Sequence, residues 1–419
     1  VSGAELGCAM KLFSRLLPIL GVTFVDILGF SIILPILPYF ITHFGASDVV
    51  VGLLFATFAA CQLVAGPVWG RVSDRIGRKR VLIVSQIGAT IGWAMLAFAG
   101  NLVWVFVARI VEGVSGGNIS ITNAYVADLV EPKQRTRAFA YVQAAFGAGI
   151  VFGPAFGGFL MKSFTESYGA QAGFAAPFLA AAALQFITLL LTIFMLPESR
   201  TVDTEKAAAT FADIGRSLMD KRVAPILWQM AAFSLALYGW FAIYSLLFKE
   251  ALGFTAWQAS YVFSCFGAFS VLMQIFVVGQ VAEKTGDRFT SSVGIATTAA
   301  GFALVPLIHN LETMIPTMIL FAIGMALSRP GLNSLLANAI PEDQRGVILG
   351  VGSSLDNISG IVMPPITTAV LGRFGSPWSG VASLICALTA LAIGVSRRPD
   401  AETSVGGDFS ADVPSIASD

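Results

Sequence analysis

The chain has 419 residues, 25 cationic and 25 anionic side chains, and a composition that is 56% apolar and only 12% charged. Apolar runs close to twenty residues recur from end to end, each long enough to cross a hydrocarbon core of ~30 Å as a helix. This excludes a soluble domain, which could bury one or two such runs but not a dozen, and a strand barrel, whose spanning segments are short and alternating.

In chain order, residues 1–15 are expected to form an N-terminal cytoplasmic leader. The chain does not open on Met, and no cleavable signal is read there because the first apolar run is itself long enough to span. Six spans follow, at about 16–40, 50–70, 81–99, 102–126, 138–161 and 174–196. The polar stretch 197–222, with eleven residues that are charged or Pro, reads as a cytoplasmic central loop. Six more spans lie at about 223–248, 257–281, 290–308, 313–337, 346–370 and 378–395. Residues 396–419, rich in Ser, Asp and Gly, are expected to be a disordered cytoplasmic tail. The expected fold class is an all-α membrane protein with twelve transmembrane helices in two pseudo-symmetric six-helix bundles, 16–196 and 223–395.

Charge orients these spans. Twenty of the 25 Lys and Arg fall in one set of loops, three (Lys162, Lys249 and Arg373) in the alternate set, and Arg109 and Arg329 within spans. That bias places both termini and the central loop in the cytoplasm, and an even number of spans agrees.

The halves echo each other. "ADLVEPKQR" (127–135) matches "ANAIPEDQR" (337–345) at an offset of 210, and the same offset takes Pro154 to Pro364. "GRVSDRIGRK" (70–79) has a weaker copy, "GQVAEKTGDR" (279–288), at 209. Six-span repeats of one orientation are a transporter signature, with the site near the bilayer midplane between them. No nucleophile–base set, phosphate loop or soluble ligand domain points to an enzyme or receptor. Cys8, Cys61, Cys265 and Cys386 show no CxxC or Cys/His spacing, and His43 and His309 are isolated, so neither a disulfide framework nor a metal site is expected.

Ionisable groups at mid-depth are costly in a membrane and mark candidate sites. Asp26, Glu112 and Asp356 each lie about ten residues into their spans, ~15 Å deep at 1.5 Å per residue. Arg109 precedes Glu112 by three and shares its helix face. Arg329 stands beside Pro330 and Gly331 in span 10. A buried carboxylate that can alternate between a proton and a cation is the minimum hardware of proton coupling, and Arg is the fixed charge. Asp26, Arg109, Glu112 and Asp356 are therefore the coupling candidates; for Arg109–Glu112 a self-neutralising structural pair is the competing reading. Asp356 lies on a polar face with Ser353, Ser354 and Asn357.

In span 5, Gly149, Gly153 and Gly157 form a stripe that admits a close neighbour, and Pro154 removes a backbone donor; the stripe serves either plain packing or a bent gating helix. Gly113 and Gly117 repeat the spacing in span 4. Gln62, Asn118, Asn123 and Gln143, with Tyr238, Tyr244 and Arg329, are the cavity candidates, against the alternative that such polar groups only join helices.

These motifs resemble the major facilitator superfamily, most closely its tetracycline-efflux and related drug:proton antiporters, over nearly all of 16–395. "GRVSDRIGRK" is similar to the signature between spans 2 and 3 through Gly70, Asp74, Arg75, Gly77, Arg78 and Lys79. "RIVEGVSGG" resembles the span 4 motif, "GIVFGPAFGG" the antiporter motif of span 5, and "VDILGFSIILPILP" the first span of tetracycline exporters. The resemblance implies the major facilitator fold and an alternating-access exporter. In it, Asp74 braces the loop against the second half near the start of span 11, Arg75 and Asp128 share a charge network, and Arg109 couples protonation to substrate. The sequence departs where the exporters' acidic residue of span 3 becomes Gly92 and where 290–308 has no acid.

The expected function is a proton-coupled exporter of small amphipathic or drug-like molecules in a bacterial inner membrane. The alternative is a symporter or exchanger of an organic anion or nutrient on the same fold. Expected partners are a small-molecule substrate, protons and the lipid bilayer, with no nucleic acid, no cofactor beyond the proton gradient, and a monomeric assembly.

Overall fold

The computed structural model describes residues 3–116, 118–130, 134–198, 211–220, 222–340 and 345–397. The remainder, including half of the central loop, the tail from residue 398, and parts of both matching segments 127–135 and 337–345, lies outside the described residues. The described chain is all-helical: α1 Gly3–His43, α2 Asp48–Ile76, α3 Arg78–Ala97, α4 Leu102–Ser115, α5 Asn118–Leu129, α6 Arg135–Tyr168 and α7 Ala170–Met195. These are followed by α8 Phe211–Met219, α9 Ala224–Leu252, α10 Ala256–Met273, α11 Gly279–Leu304, α12 Leu311–Asn338, α13 Arg345–Phe374 and α14 Val381–Ser396. Among the described residues nine segments are long and apolar enough to cross a membrane.

Three elements differ from the expected spans. Span 4 is two helices: α4 ends where Gly116 takes ψ 74° and its N–H turns back to the Gly113 carbonyl at 3.2 Å. Glycine costs most to hold in a helix among residues other than proline, so the Ser-Gly-Gly run is the weak point. The central loop contains the short helix α8, which packs on α9 and α13. Helix α1 begins at Gly3, well before the apolar run.

The repeat is visible in the backbone. Gly77 separates α2 from α3 at φ 103°, ψ 149°, and Gly286, 209 residues later, interrupts α11 at φ 81°, ψ 160°. Only glycine adopts this region without strain, so the motif and its weaker copy break their helices by one device.

Helices α1–α7 pack mostly on each other, chiefly α1 on α6 and α7, α3 on α4 and α7, and α2 on α4. Helices α9–α14 do likewise through α9 with α13 and α14, and α11 with α12 and α14. The two sets meet along α2–α13 and α6–α10, with α1 reaching α9 and α10. The Gly149/Gly153/Gly157 stripe belongs to packing inside the first set. A Cβ at Gly149 would stand 2.9 Å from Ile27, one at Gly153 2.6 Å from the Leu28 carbonyl, and one at Gly157 3.0 Å from Ile32, all on α1. Ser31 Oγ also donates to the Gly149 carbonyl at 2.9 Å. The seam across the sets uses another face of α6: Gly158 lies against Ser260 and Trp257, Ile150 against Gly267, and Ser264 Oγ donates to the Val151 carbonyl at 2.8 Å. Helix α6 runs unbroken through Pro154.

Cross-set contacts run from mid-helix to the end carrying 43–48 and 252–256. Tyr39 Oη donates to the Phe254 carbonyl at 2.8 Å, Lys249 Nζ donates to Thr42 Oγ1 at 2.9 Å, and Gly52 lies against Thr368 and the Pro364 carbonyl.

Candidate functional site

Four of the five mid-depth charges sort into two ion pairs, one in each helix set. In the first, Arg109 Nη2 is 2.7 Å from Glu112 Oε2, with side-chain exposures of 4% and 5%. The spacing of three on α4 puts both groups on one face, and neighbouring helices seal them. The Arg109 guanidinium lies 4.5 Å from the centre of the Phe58 ring of α2, an attractive cation–π arrangement. Gly92 of α3 leaves room for the Glu112 side chain, with whose Cγ a Cβ at 92 would clash. Arg109 Nε and Nη1 and Glu112 Oε1 are buried without a hydrogen-bond partner among the described residues, as are both amide atoms of the fully buried Gln86 on α3. Helix α1 reaches this site through Phe30, whose ring centre is 6.0 Å from that of Phe58. Asp26 is half-buried one helical turn from Phe30. Gln62 of α2 packs at the end of α4, its Nε2 3.2 Å from the Cβ position of Gly116.

The second pair joins α12 to α13. Arg329 Nη1 lies 2.8 Å from Asp356 Oδ2, and here the exposures are 30% and 20%. Ser234 Oγ of α9 donates to Asp356 Oδ1 at 2.5 Å. Tyr238, one turn on from Ser234, packs against Gly360, whose Cβ position is 3.2 Å from its ring and 3.1 Å from Ala59 of α2. The pair thus borders the seam between the sets.

Other candidates fall elsewhere. Tyr244 does not face an opening: it is 1% exposed, with its ring centre 5.0 Å from that of Phe263 and with Trp240 and Phe248 around it. The aromatic crowd of span 7 that suggested a lining residue is, at this depth, hydrophobic core. Gln143 is exposed on α6. The side chains of Asn118 and Asn123, and Gly117 altogether, lie outside the described residues. Gly113 lets α4 approach Phe58 and Cys61.

Among the described residues, the knot at 70–80 is tied within the first set. Arg78 holds Asp74 at 2.7 Å and Asp128 at 3.4 Å, and donates to Ser73 Oγ at 2.6 Å. Arg78 therefore occupies the place the resemblance implies for Arg75, which is exposed. Gly70 stands one turn before Asp74, and its carbonyl accepts from Ser73 Oγ at 2.7 Å. Glu198, counted in the sequence only among loop charges, accepts the Lys79 backbone N–H at 3.2 Å, and its carboxylate fills the space beside Gly77. A carboxylate at a helix N-terminus is electrostatically favoured. Ser234, Phe58 and Gln86 were also missed: one serine, one phenylalanine and one amide in apolar runs carry no distinguishing signal.

The family model described as Major Facilitator Superfamily matches residues 19–277 and 230–412. The tetracycline resistance protein, class C, of Escherichia coli is 30% identical over 93% of this chain and 98% of its own length. Multidrug resistance protein 2 of Bacillus subtilis is 28% identical over 82% of this chain and 85% of its own. Among solved structures, a bacterial homologue of the human lysosomal transporter Spinster, inward-facing and occupied, superposes with a TM-score of 0.74 at 18% identity, over 91% of this chain and 95% of that one. The human organic anion transporter MFSD10 gives 0.69 at 19%, over 92% and 99%. With apolar helices throughout and family matches end to end, the chain belongs to the Major Facilitator Superfamily and is an integral membrane transporter, not an enzyme.

Proposed function

We propose that the chain is a proton-coupled secondary transporter that exports small amphipathic or drug-like molecules by alternating access, in a bacterial inner membrane with both termini cytoplasmic. We count twelve spans in two six-helix bundles, 16–196 and 223–395. The nine apolar segments become ten when the 52-residue run Ala256–Leu307 is divided at Gly286, and α4–α5 and α13 complete the set. Residues 197–222 join the bundles in the cytoplasm. In this orientation the end joined by Tyr39, Thr42, Lys249 and Phe254 is periplasmic, so the conformer is closed outward.

The observation that carries this reading is the contrast between the two mid-depth ion pairs. Arg109–Glu112 is sealed yet underbonded, and a charge buried with unused hydrogen-bonding groups is costly unless another state uses them. Arg329–Asp356 is open at the same time. Two paired carboxylates of unequal access are what exchange requires: one can be shielded while the other meets substrate or proton. The relatives named for tetracycline and multidrug resistance support export of such molecules. Gly92 in place of the exporters' span 3 acid favours a substrate other than tetracycline.

Reconstitution tests this. Proteoliposomes with an imposed pH gradient, offered tetracycline and amphiphiles of either charge, should move substrate against the proton flow and release protons in exchange. Comigration of substrate with protons would instead establish symport.

A further inference from the structure

We infer that Arg329 is the seat for the anionic head group of an amphipathic substrate, taken from Asp356 in a mid-depth site that Ser234 and Tyr238 complete. This rests on reading the chain as a transporter of small amphipathic molecules, and it names the head group and the residue that holds it.

Four observations converge. First, the guanidinium carries five N–H donors in a planar fork, and among the described residues it makes one hydrogen bond, Nη1 to Asp356 Oδ2. Nearly a third of the side chain is exposed, so the remaining donors are offered outward rather than buried. Second, Arg329 lies nine residues from the end of α12 and Asp356 eleven from the start of α13, ~13–17 Å deep at 1.5 Å per residue. A charged pair open at that depth faces a water-filled cleft, because opening it to lipid is prohibitive. The same flank of α13 presents Ser353, exposed, and Asn357, part-exposed.

Third, the walls are apolar and shared. Tyr238, Gly360 and Ala59 meet within 3.2 Å of one Cβ position, and Ala59 comes from the other helix set. A ligand with an apolar body lying here would touch both sets, which a transported molecule must do to report its presence. Fourth, Asp356 does not depend on Arg329 alone. Its Oδ1 already accepts from Ser234 Oγ at 2.5 Å, so the carboxylate keeps a hydrogen bond when the guanidinium turns to a ligand.

Charge sets the ligand class. Arg329 stays protonated, so the site presents one permanent cation and one carboxylate competing for it. A single carboxylate or sulfonate on an apolar body matches that cation. A dianionic phosphate would add repulsion from Asp356, and a cation would be repelled by Arg329.

Binding to the purified full-length protein at neutral pH decides the matter with three probes of one shape: 1-naphthaleneacetate, its neutral amide, and the corresponding naphthyl amine. Wild type should bind the carboxylate at least fivefold more tightly than the amide. Asp356→Asn removes the competitor and should tighten the carboxylate a further threefold or more without helping the amide. The double variant Arg329→Gln/Asp356→Asn, which leaves no unpaired charge behind, should lose the carboxylate preference. A pair that is merely structural gives no gain in anion affinity on Asp356→Asn. Equal binding of carboxylate and amide by wild type, or unchanged or weaker carboxylate binding by Asp356→Asn, overturns the assignment. The wild-type comparison stands even if a variant fails to fold. Binding of the amide or amine but not the carboxylate defeats the anion site alone, whereas failure of all three probes counts against the amphiphile reading as well.

Discussion

At the scale of single residues, the Glu112 side chain takes its room from a missing one. A Cβ on Gly92 would clash with its Cγ, and overpacking of a buried site costs about 1–3 kcal/mol. Gly92→Ala should therefore destabilise the protein by that amount. Glu112→Ala should cost more, about 3–5 kcal/mol, by stranding the Arg109 charge. In the Glu112→Ala background the Gly92→Ala penalty should vanish, a coupling of at least ~1 kcal/mol in a double-mutant cycle followed by unfolding in mixed micelles. Strict additivity would mean that the two side chains do not compete for space. Asp26→Asn, also at mid-depth, should abolish proton-coupled transport while leaving expression and melting temperature near wild type; transport at the wild-type rate would remove Asp26 from the mechanism. The Arg109–Glu112 pair was legible because its partners are three apart on one helix. The Arg329–Asp356 pair was not, since 27 residues and a change of helix separate the partners and nothing local relates them.

At the scale of helices, apolar run length located the spans, because a segment in lipid must satisfy its own backbone and so must be helical. Run length does not register breaks that cost little apolar character, so the division of span 4 at Gly116 and the short α8 went unread. Nor does it assign a stripe to a partner: the small residues of α6 served α1, while the seam between the sets ran along another face. That seam yields a test. Gly52 of α2 sits 2.6 Å, by its Cβ position, from the Pro364 carbonyl of α13, a backbone contact that cannot yield as a flexible side chain can. Gly52→Leu should push α2 and α13 apart and open the end held by Thr42 and Lys249. In a background lacking Cys8, Cys61, Cys265 and Cys386, a Thr42→Cys/Lys249→Cys pair should be joined readily by a short bifunctional thiol reagent that spans the lost lysine stem, since the parent side chains meet at 2.9 Å through the Lys249 Nζ. Adding Gly52→Leu should slow crosslinking at least fivefold. An unchanged rate would show that this seam does not control closure.

At the scale of the whole molecule, the internal repeat reaches beyond the two glycines that break α2–α3 and α11. Two residues after each stands a cation, Lys79 and Arg288, again 209 apart. Each reaches across its own helix set to the closing turn of the set's last helix. Lys79 Nζ donates to the Ile193 carbonyl near the end of α7 at 2.8 Å. Arg288 Nη2 donates to the carbonyls of Gly394 and Val395 at 3.3 Å, and to that of Arg397, around the end of α14. The last carbonyls of a helix have no partner within it and carry the negative end of its dipole, so a cation there satisfies both needs at once. The network around the motif is not repeated so faithfully: Asp74, Arg78, Asp128 and Glu198 tie the first copy, while Glu283 of the second is exposed and Asp287 takes a hydrogen bond from Ser334. In sequence the second copy is the weaker, with Glu283 in place of Asp74 and fewer cations. What the two copies share is one cation in one place, clamping the last helix of each set to its third. Lys79→Met and Arg288→Met should each lower stability by roughly 1–2 kcal/mol, the range of a charge-assisted bond at a helix end. Because the clamps belong to different helix sets, the double variant should be additive to within about 0.5 kcal/mol, read from unfolding in mixed micelles at rising denaturing detergent. A large coupling would mean that one set's closing helix senses the other's clamp. Neutrality of both variants would mean that solvent serves these carbonyls equally well, and the shared cation would then matter only for setting the orientation of the chain in the membrane.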